Sequence, residues 1–184
     1  MTTSALDQAL TESSLRPLPE LAAELLRSLD APARLGAHLR AVHDVAWSLT
    51  DRLGRARPDL DFDTTATLFG AATHDIGKTI HPEELTRPGR RHEAAGRDLL
   101  ISYGVPADLA RFAGGHGSWD GSADLEELLV SLADQIWKGV RVRDLEDLVA
   151  AQLGGAPSLL LDDILRDLVT DADQRLAFQY SHPV

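Results

Sequence analysis

Leu35, Leu39, Val42, Ala46, Leu49 and Leu53 recur at alternating intervals of four and three residues, so this stretch buries a continuous stripe only as a long α-helix. Pro32 precedes the run and Gly54 marks its expected end. His38 stands on that stripe: Leu35 is three residues before it, Val42 four after and Val45 seven after. An imidazole is thereby aimed at the core rather than at solvent. His43 competes with it for the same role, but lies beside Arg40 and Asp44, which suggests a supporting or surface position. A second polar group is enclosed in the same way. Asp134 is embedded in Leu128, Leu129, Val130, Leu132, Ala133, Ile136 and Trp137, where an ionised carboxylate is costly unless paired or bound to metal. Lys138, four residues on, is its local partner for an ion pair.

The remaining segments also carry helical spacing, with almost no strand alternation. Leu18 to Leu29 reads as one helix, and Asp63 caps another that runs through Leu68 toward His74. Residues 77–89 hold Gly77, Pro82, Pro88 and Gly89 and read as a loop, with room for a helical turn at Pro82–Leu85. Arg91 to Tyr103, a short helix opened by Pro106 and ending near Gly114-Gly115, and Leu125 to Val140 follow. Two acidic amphipathic helices, near Val142–Leu153 and Pro157–Tyr180 and divided by Gly154-Gly155, complete the chain. This last pair could cover the core, close over a site, or join a second subunit in a homo-oligomer; core packing is the simplest reading.

The polar residues that this pattern leaves inside have a common chemistry. His74 and Asp75 are adjacent in His74-Asp75-Ile-Gly-Lys78, offering one neutral nitrogen and one anionic oxygen. With His38, His92, His116 and Asp134 they make six donors, more than one ion needs if it must also keep a water, and a carboxylate can bridge two ions. His81 lies in a Pro-containing loop and is at most a substrate contact, and His182 is a tail residue that needs no function.

These residues carry a resemblance. The segment Ala-Ala-Thr-His74-Asp75-Ile-Gly-Lys78, preceded by His38-Leu-Arg-Ala-Val42 and followed by Leu-Ala-Asp134-Gln, resembles the HD-domain superfamily of metal-dependent phosphohydrolases over about Leu35 to Gly139. His92-Glu-Ala-Ala-Gly96 and His116-Gly-Ser-Trp119-Asp120-Gly121 are similar to its HD-GYP phosphodiesterase branch. That branch usually pairs two histidines where this chain has Gly115-His116, and its Gly-Tyr-Pro triplet is absent here, which argues against cyclic-dinucleotide hydrolysis. The resemblance implies an all-α, single HD-domain helical bundle with its metal site in the helical core, spanning residues 15–184 and ending in the C-terminal helical pair. Residues 1–14 are expected to be mobile or loosely packed. It also implies a hydrolase that acts on a small nucleotide or phosphorylated metabolite through a metal-activated water. His38, His74, Asp75, His92, His116 and Asp134 would hold two divalent ions (Fe, Mn, Co, Ni or Zn). Lys78 would work with Asp75 in catalysis, and Lys78 and Arg91 would hold the phosphate. The same ligand set also looks like the diiron oxygenases of this superfamily, and a regulatory module that retains metal without turnover is a third reading.

Composition limits the partners. A net charge of −11 disfavours general nucleic-acid binding, so an anionic substrate would need local cations such as Arg87, Arg90 and Arg91. No apolar run approaches the ~20 residues of a membrane span. The absence of cysteine excludes thiolate ligands, and with no signal-peptide pattern at the start it fits a cytoplasmic protein.

Overall fold

A computed structural model describes residues 3–117, 119–154 and 159–184; Gly155 and Pro157, expected at the boundary of the last helices, and Ser118 lie outside these. Among the described residues the architecture is all-α, and the helices are α1 (Ala5–Thr11), α2 (Glu20–Ser28), α3 (Ala33–Ala56), α4 (Thr64–Thr73), α5 (Arg91–Ser102), α6 (Ala107–Gly115), α7 (Leu125–Ile136), α8 (Arg143–Gln152), α9 (Leu159–Thr170) and α10 (Ala172–Tyr180). Two 3-10 turns, Ile76–Thr79 and Pro82–Leu85, interrupt the loop between α4 and α5. Among the described residues no helix is long and apolar enough to cross a membrane.

The 24-residue α3 is the axis of the bundle. Its first half (Leu35, Leu39) joins α1, α2, α4, α5 and α6 in one apolar cluster, and its second half (Val42 to Leu53) joins α7, α8 and α9 in another. His38 lies near the end of the first half, one turn before Val42 of the second. The residues before His74 divide likewise, Ala72 going to the first cluster and Ala71 to the second. The polar residues of interest therefore leave their helices where two apolar clusters meet, which gives them rigid backing on both sides.

Local signals account for most boundaries. The Asp63 side chain accepts from Ala66 N at 2.9 Å and opens α4. Asp124 and Glu127 form a reciprocal capping box at the start of α7. That helix stops four residues before the expected Val140, because Gly139 adopts a positive φ of 77° and the amides of Gly139 and Val140 fold back onto the carbonyls of Ile136 and Gln135. The final expected helix is two helices. The chain breaks at Asp171, and the buried Arg175 guanidinium donates to the Leu168 carbonyl at 2.6 Å, closing the end of α9 while α10 turns back along α3.

The N-terminal segment is not loosely packed. Leu6, Ala9 and Leu10 of α1 are buried, and the Arg40 side chain, 1% exposed, donates to the carbonyls of Ala9, Glu12, Leu15 and Arg16. One guanidinium supplies donors that the irregular backbone after α1 would otherwise lack. His182, in the tail, is packed too: it is buried, its ring meets Phe178 edge-on at 5.1 Å, and its carbonyl accepts from Arg34.

His43 is buried rather than at the surface, and its Nδ1 has no hydrogen-bond partner among the described residues. Burial, reinforced by the nearby Arg16 and Arg40 charges, lowers its pKa from 6.5 to about 4. The unfolded chain then takes up a proton near pH 6.5 that the folded chain refuses until near pH 4. Stability from this group is full above pH 6.5 and declines as pH falls through that window, by on the order of 3 kcal/mol. Urea unfolding of His43→Gln is expected to lose this part of the acid sensitivity; equal slopes for variant and parent between those pH values would refute it.

Candidate metal centre

Six side chains from five places in the sequence converge. His38 comes from α3, His74 and Asp75 from the end of α4, His92 from the first turn of α5, His116 from just after α6, and Asp134 from the last turn of α7. Asp75 is central and 2% exposed. Its Oδ2 lies 3.0 Å from His38 Nε2 and 3.8 Å from His74 Nε2. Its Oδ1 lies 3.0 Å from His92 Nε2 and 3.2 Å from His116 Nε2. Asp134 Oδ1 is 3.6 Å from Nε2 of both His38 and His74. Each Asp75 oxygen thus faces a different pair of imidazoles, and two groups could each hold an ion: His38, His74 and Asp75, and Asp75, His92 and His116.

The outer nitrogens explain why the inner ones converge. His74 Nδ1 lies 3.0 Å from the Ala71 carbonyl, His38 Nδ1 3.3 Å from Gln179 Oε1, and His92 Nδ1 2.5 Å from Glu84 Oε2. An oxygen acceptor at Nδ1 supports the tautomer in which Nε2 is left to a metal. The inner nitrogens face one another at 3.3 Å (His38 and His74) and 3.4 Å (His92 and His116), pairs that a shared proton or a cation between them would satisfy. The orphaned atom points the same way: buried Asp75 Oδ1 has no hydrogen bond of good geometry despite its two imidazole neighbours. Nitrogen and carboxylate donors of this kind fit divalent transition metals.

Charge is held strongly here. Burial alone would raise the Asp75 carboxyl, but His74, His116, His38 and His92 hold it well below the ordinary carboxylate range. Asp134 likewise resists burial through His74, His38 and Lys138, and it also accepts from Trp137 Nε1 at 3.0 Å. The Lys138 pair is present at 3.7 Å, so the ion-pair and cluster readings of Asp134 hold together. Burial of Glu84 is outweighed by the His92 ring and the amides of His92 and Arg91, leaving it at about 2.

A cavity of about 370 Å³ opens over the cluster. Lys78 lines it, with Nζ 2.5 Å from Asp75 Oδ2. Arg91 does not: it is exposed and lies 3.5 Å from Glu83. Because His92 faces inward, the residue before it is turned about 100° away around the helix. Arg90 lines the cavity instead, held by Glu93 through two hydrogen bonds of 2.9 and 3.1 Å. His81 pairs with Glu83 at 3.4 Å and is not part of the wall, and His43 is remote from the cluster's contacts.

The family model for the HD domain matches residues 35–137, more than half of the chain and the stretch that contains all six donors. The chain belongs to the HD-domain family. No curated protein and no solved structure gives a significant match. Members of this family are generally metal-dependent hydrolases, so the HD domain carries a hydrolase-like fold with a His/Asp cluster suited to metal. Helices α8, α9 and α10 lie beyond the matched stretch, yet α10 places Gln179 and Tyr180 on the cavity wall.

Sequence reasoning missed the roles of Glu84, Trp137 and Gln179, and it named Arg90 only as one of a basic cluster. Trp137 was legible in principle, because it lies three residues after Asp134 on one helix face. Glu84 is indistinguishable by spacing from Glu83, and no local pattern connects Gln179 to the cluster.

Proposed function

We propose that this HD domain is a phosphohydrolase that uses two divalent metal ions to cleave a phosphate ester of a small nucleotide or phosphorylated metabolite. The observation that supports this reading most directly is the division of Asp75, whose two buried oxygens face separate imidazole pairs. In this reading His38, His74 and Asp134 serve one ion, His92 and His116 the other, and Asp75 both. Bound ions would supply Lewis acidity and a water of lowered pKa near the phosphorus.

The chain's own residues do the rest. Glu84 and the Ala71 carbonyl keep the Nδ1 protons of His92 and His74 in place, so the Nε2 lone pairs stay available. Lys78 projects its ammonium into the cavity beside Asp75 and is placed to hold a phosphate oxygen; as a protonated amine it neither coordinates metal nor acts as a carboxylate base. Arg90 replaces Arg91 as the second cation at the wall, restrained by Glu93. The cavity of about 370 Å³ suits a compact ester.

A panel of phosphate esters assayed with Mn, Fe, Co, Ni and Zn tests the reading, and oxygen uptake without phosphate release would replace it with oxygenase chemistry. Lys78→Ala is expected to keep its metal but lose turnover by about 100-fold, the size of one electrostatic contact in a water-poor site. Parent-like kinetics would reduce Lys78 to a wall residue, and joint loss of metal would assign it to the support of Asp75.

A further inference from the structure

We infer that Gln179 is a positioning residue for the metal centre: it accepts from His38 Nδ1–H when Nε2 is given to a cation, which makes α10 part of the site. The inference rests on the reading of His38 as a metal ligand, and it concerns a residue well beyond the matched HD-domain stretch.

Two contacts hold the His38 ring. Trp137 meets it edge-on with ring centroids 4.9 Å apart, which limits its tilt. Gln179 Oε1 lies 3.3 Å from Nδ1, and both side chains are buried, at 8% and 6% exposure for Gln179 and His38. A buried neutral imidazole carries one proton, and the acceptor next to a ring nitrogen decides which nitrogen carries it. With no cation present, Asp75 Oδ2 at 3.0 Å competes for that proton at Nε2; once a cation occupies Nε2 the proton belongs on Nδ1, where Oε1 is placed to accept it. With the amide reversed, its NH2 would donate to Nδ1 and leave an N–H on Nε2, which closes that nitrogen to a metal. His74 and His92 have unambiguous acceptors, a carbonyl and a carboxylate. In His38 alone of these three, the choice falls to an amide that can present either end.

The position of Gln179 is in turn set by how α10 is tied down. Arg34, in the first turn of α3, donates through its backbone N to the Pro183 carbonyl at 2.8 Å and through Nε to the His182 carbonyl at 3.2 Å. Phe178 is buried against Ala9, Ala33 and Ala37. The end of α10 is therefore docked one turn from His38 on the same helix. Gln179 faces inward from this anchored end, and its neighbour Tyr180 reaches the cavity wall.

The test compares Gln179→Leu, which removes the acceptor at similar volume, with Gln179→Glu, which has acceptors only. The first readout is the His38 Nδ1–H in Zn2+-loaded protein, from nitrogen-15 imidazole NMR. The second is Zn2+ affinity by calorimetry. The parent and Gln179→Glu are expected to show a slowly exchanging, hydrogen-bonded Nδ1–H. Gln179→Leu is expected to lose that protection and to bind Zn2+ about 10–100-fold more weakly, with Gln179→Glu close to the parent. A rapidly exchanging Nδ1–H in the loaded parent overturns the inference, and so does parent-like Zn2+ affinity in Gln179→Leu. Equal weakening in both variants also overturns it, because that is the mark of packing alone. A parent that binds no Zn2+ removes the metal reading itself. If Gln179→Leu does not fold, Gln179→Ala takes its place with the same expected and overturning results.

Discussion

Asp75→Ala is expected to purify with almost no bound metal, against a metal-replete parent. The substitution removes the anion at the centre of the cluster and leaves four imidazoles and Lys78 facing one another. Two cations held close together across that gap would repel without a shared carboxylate between them. The oxygens cannot be replaced by solvent at equal strength, because the site is buried and a water carries no charge to offset the ions. A loss of affinity well beyond the about 10–100-fold seen for outer supporting groups is therefore expected. Asp75→Asn separates charge from shape: it keeps the volume and one carbonyl oxygen but should still bind poorly. Elemental analysis of all three proteins measures the effect, and undiminished metal in Asp75→Ala would remove the centre of the functional reading.

Gly77→Ala is expected to lower stability by about 3 kcal/mol and to weaken metal binding with it. Gly77 lies in the 3-10 turn that follows Asp75, where the backbone of that turn crosses the start of α5. A methyl group there would stand 2.0 Å from the His92 carbonyl oxygen and 2.6 Å from the Gly96 amide nitrogen. Both are helix backbone atoms, so no side chain can swing aside. The turn has to move away from α5, and that separates Asp75 and Lys78 from His92. Thermal unfolding should fall by about 10 °C for a loss of this size in a domain of this length. Gly54→Ala is the matched control. Its methyl would meet nothing within 4 Å, and an exposed helical glycine replaced by alanine gains up to about 1 kcal/mol. Equal melting temperatures for Gly77→Ala and parent would show that the turn accommodates the methyl and that the close approach has no role.

The range of an interaction along the chain separates the features legible in the sequence from those that were not. Helix α4 and its Asp63 cap, the turn at Pro82–Leu85, and α5 stopping before Gly104 were legible because each depends on contacts within a few residues. The His74-Asp75 pair and the buried faces of His38 and Asp134 were legible for the same reason. An apolar stripe declares which way a side chain points, and a polar residue on it stands out. Arg91 was misplaced because a cation cluster in a loop has no stripe to orient it; its rotation was settled only when His92 faced the cluster. The N-terminal segment was misjudged because what holds it is Arg40, some 25 to 31 residues away along the chain.

From its sequence alone, this chain determined a helical bundle with six metal-type donors on or beside its helices, since helical periodicity and donor chemistry are local properties. Only the tertiary structure decided that His38 rather than His43 joins the cluster, that Glu84 and not Glu83 holds His92, and that Gln179, 141 residues away, touches His38. Those choices depend on how α5 and α10 dock against their neighbours, and docking is decided by the summed packing of many side chains, which no single spacing in the sequence records.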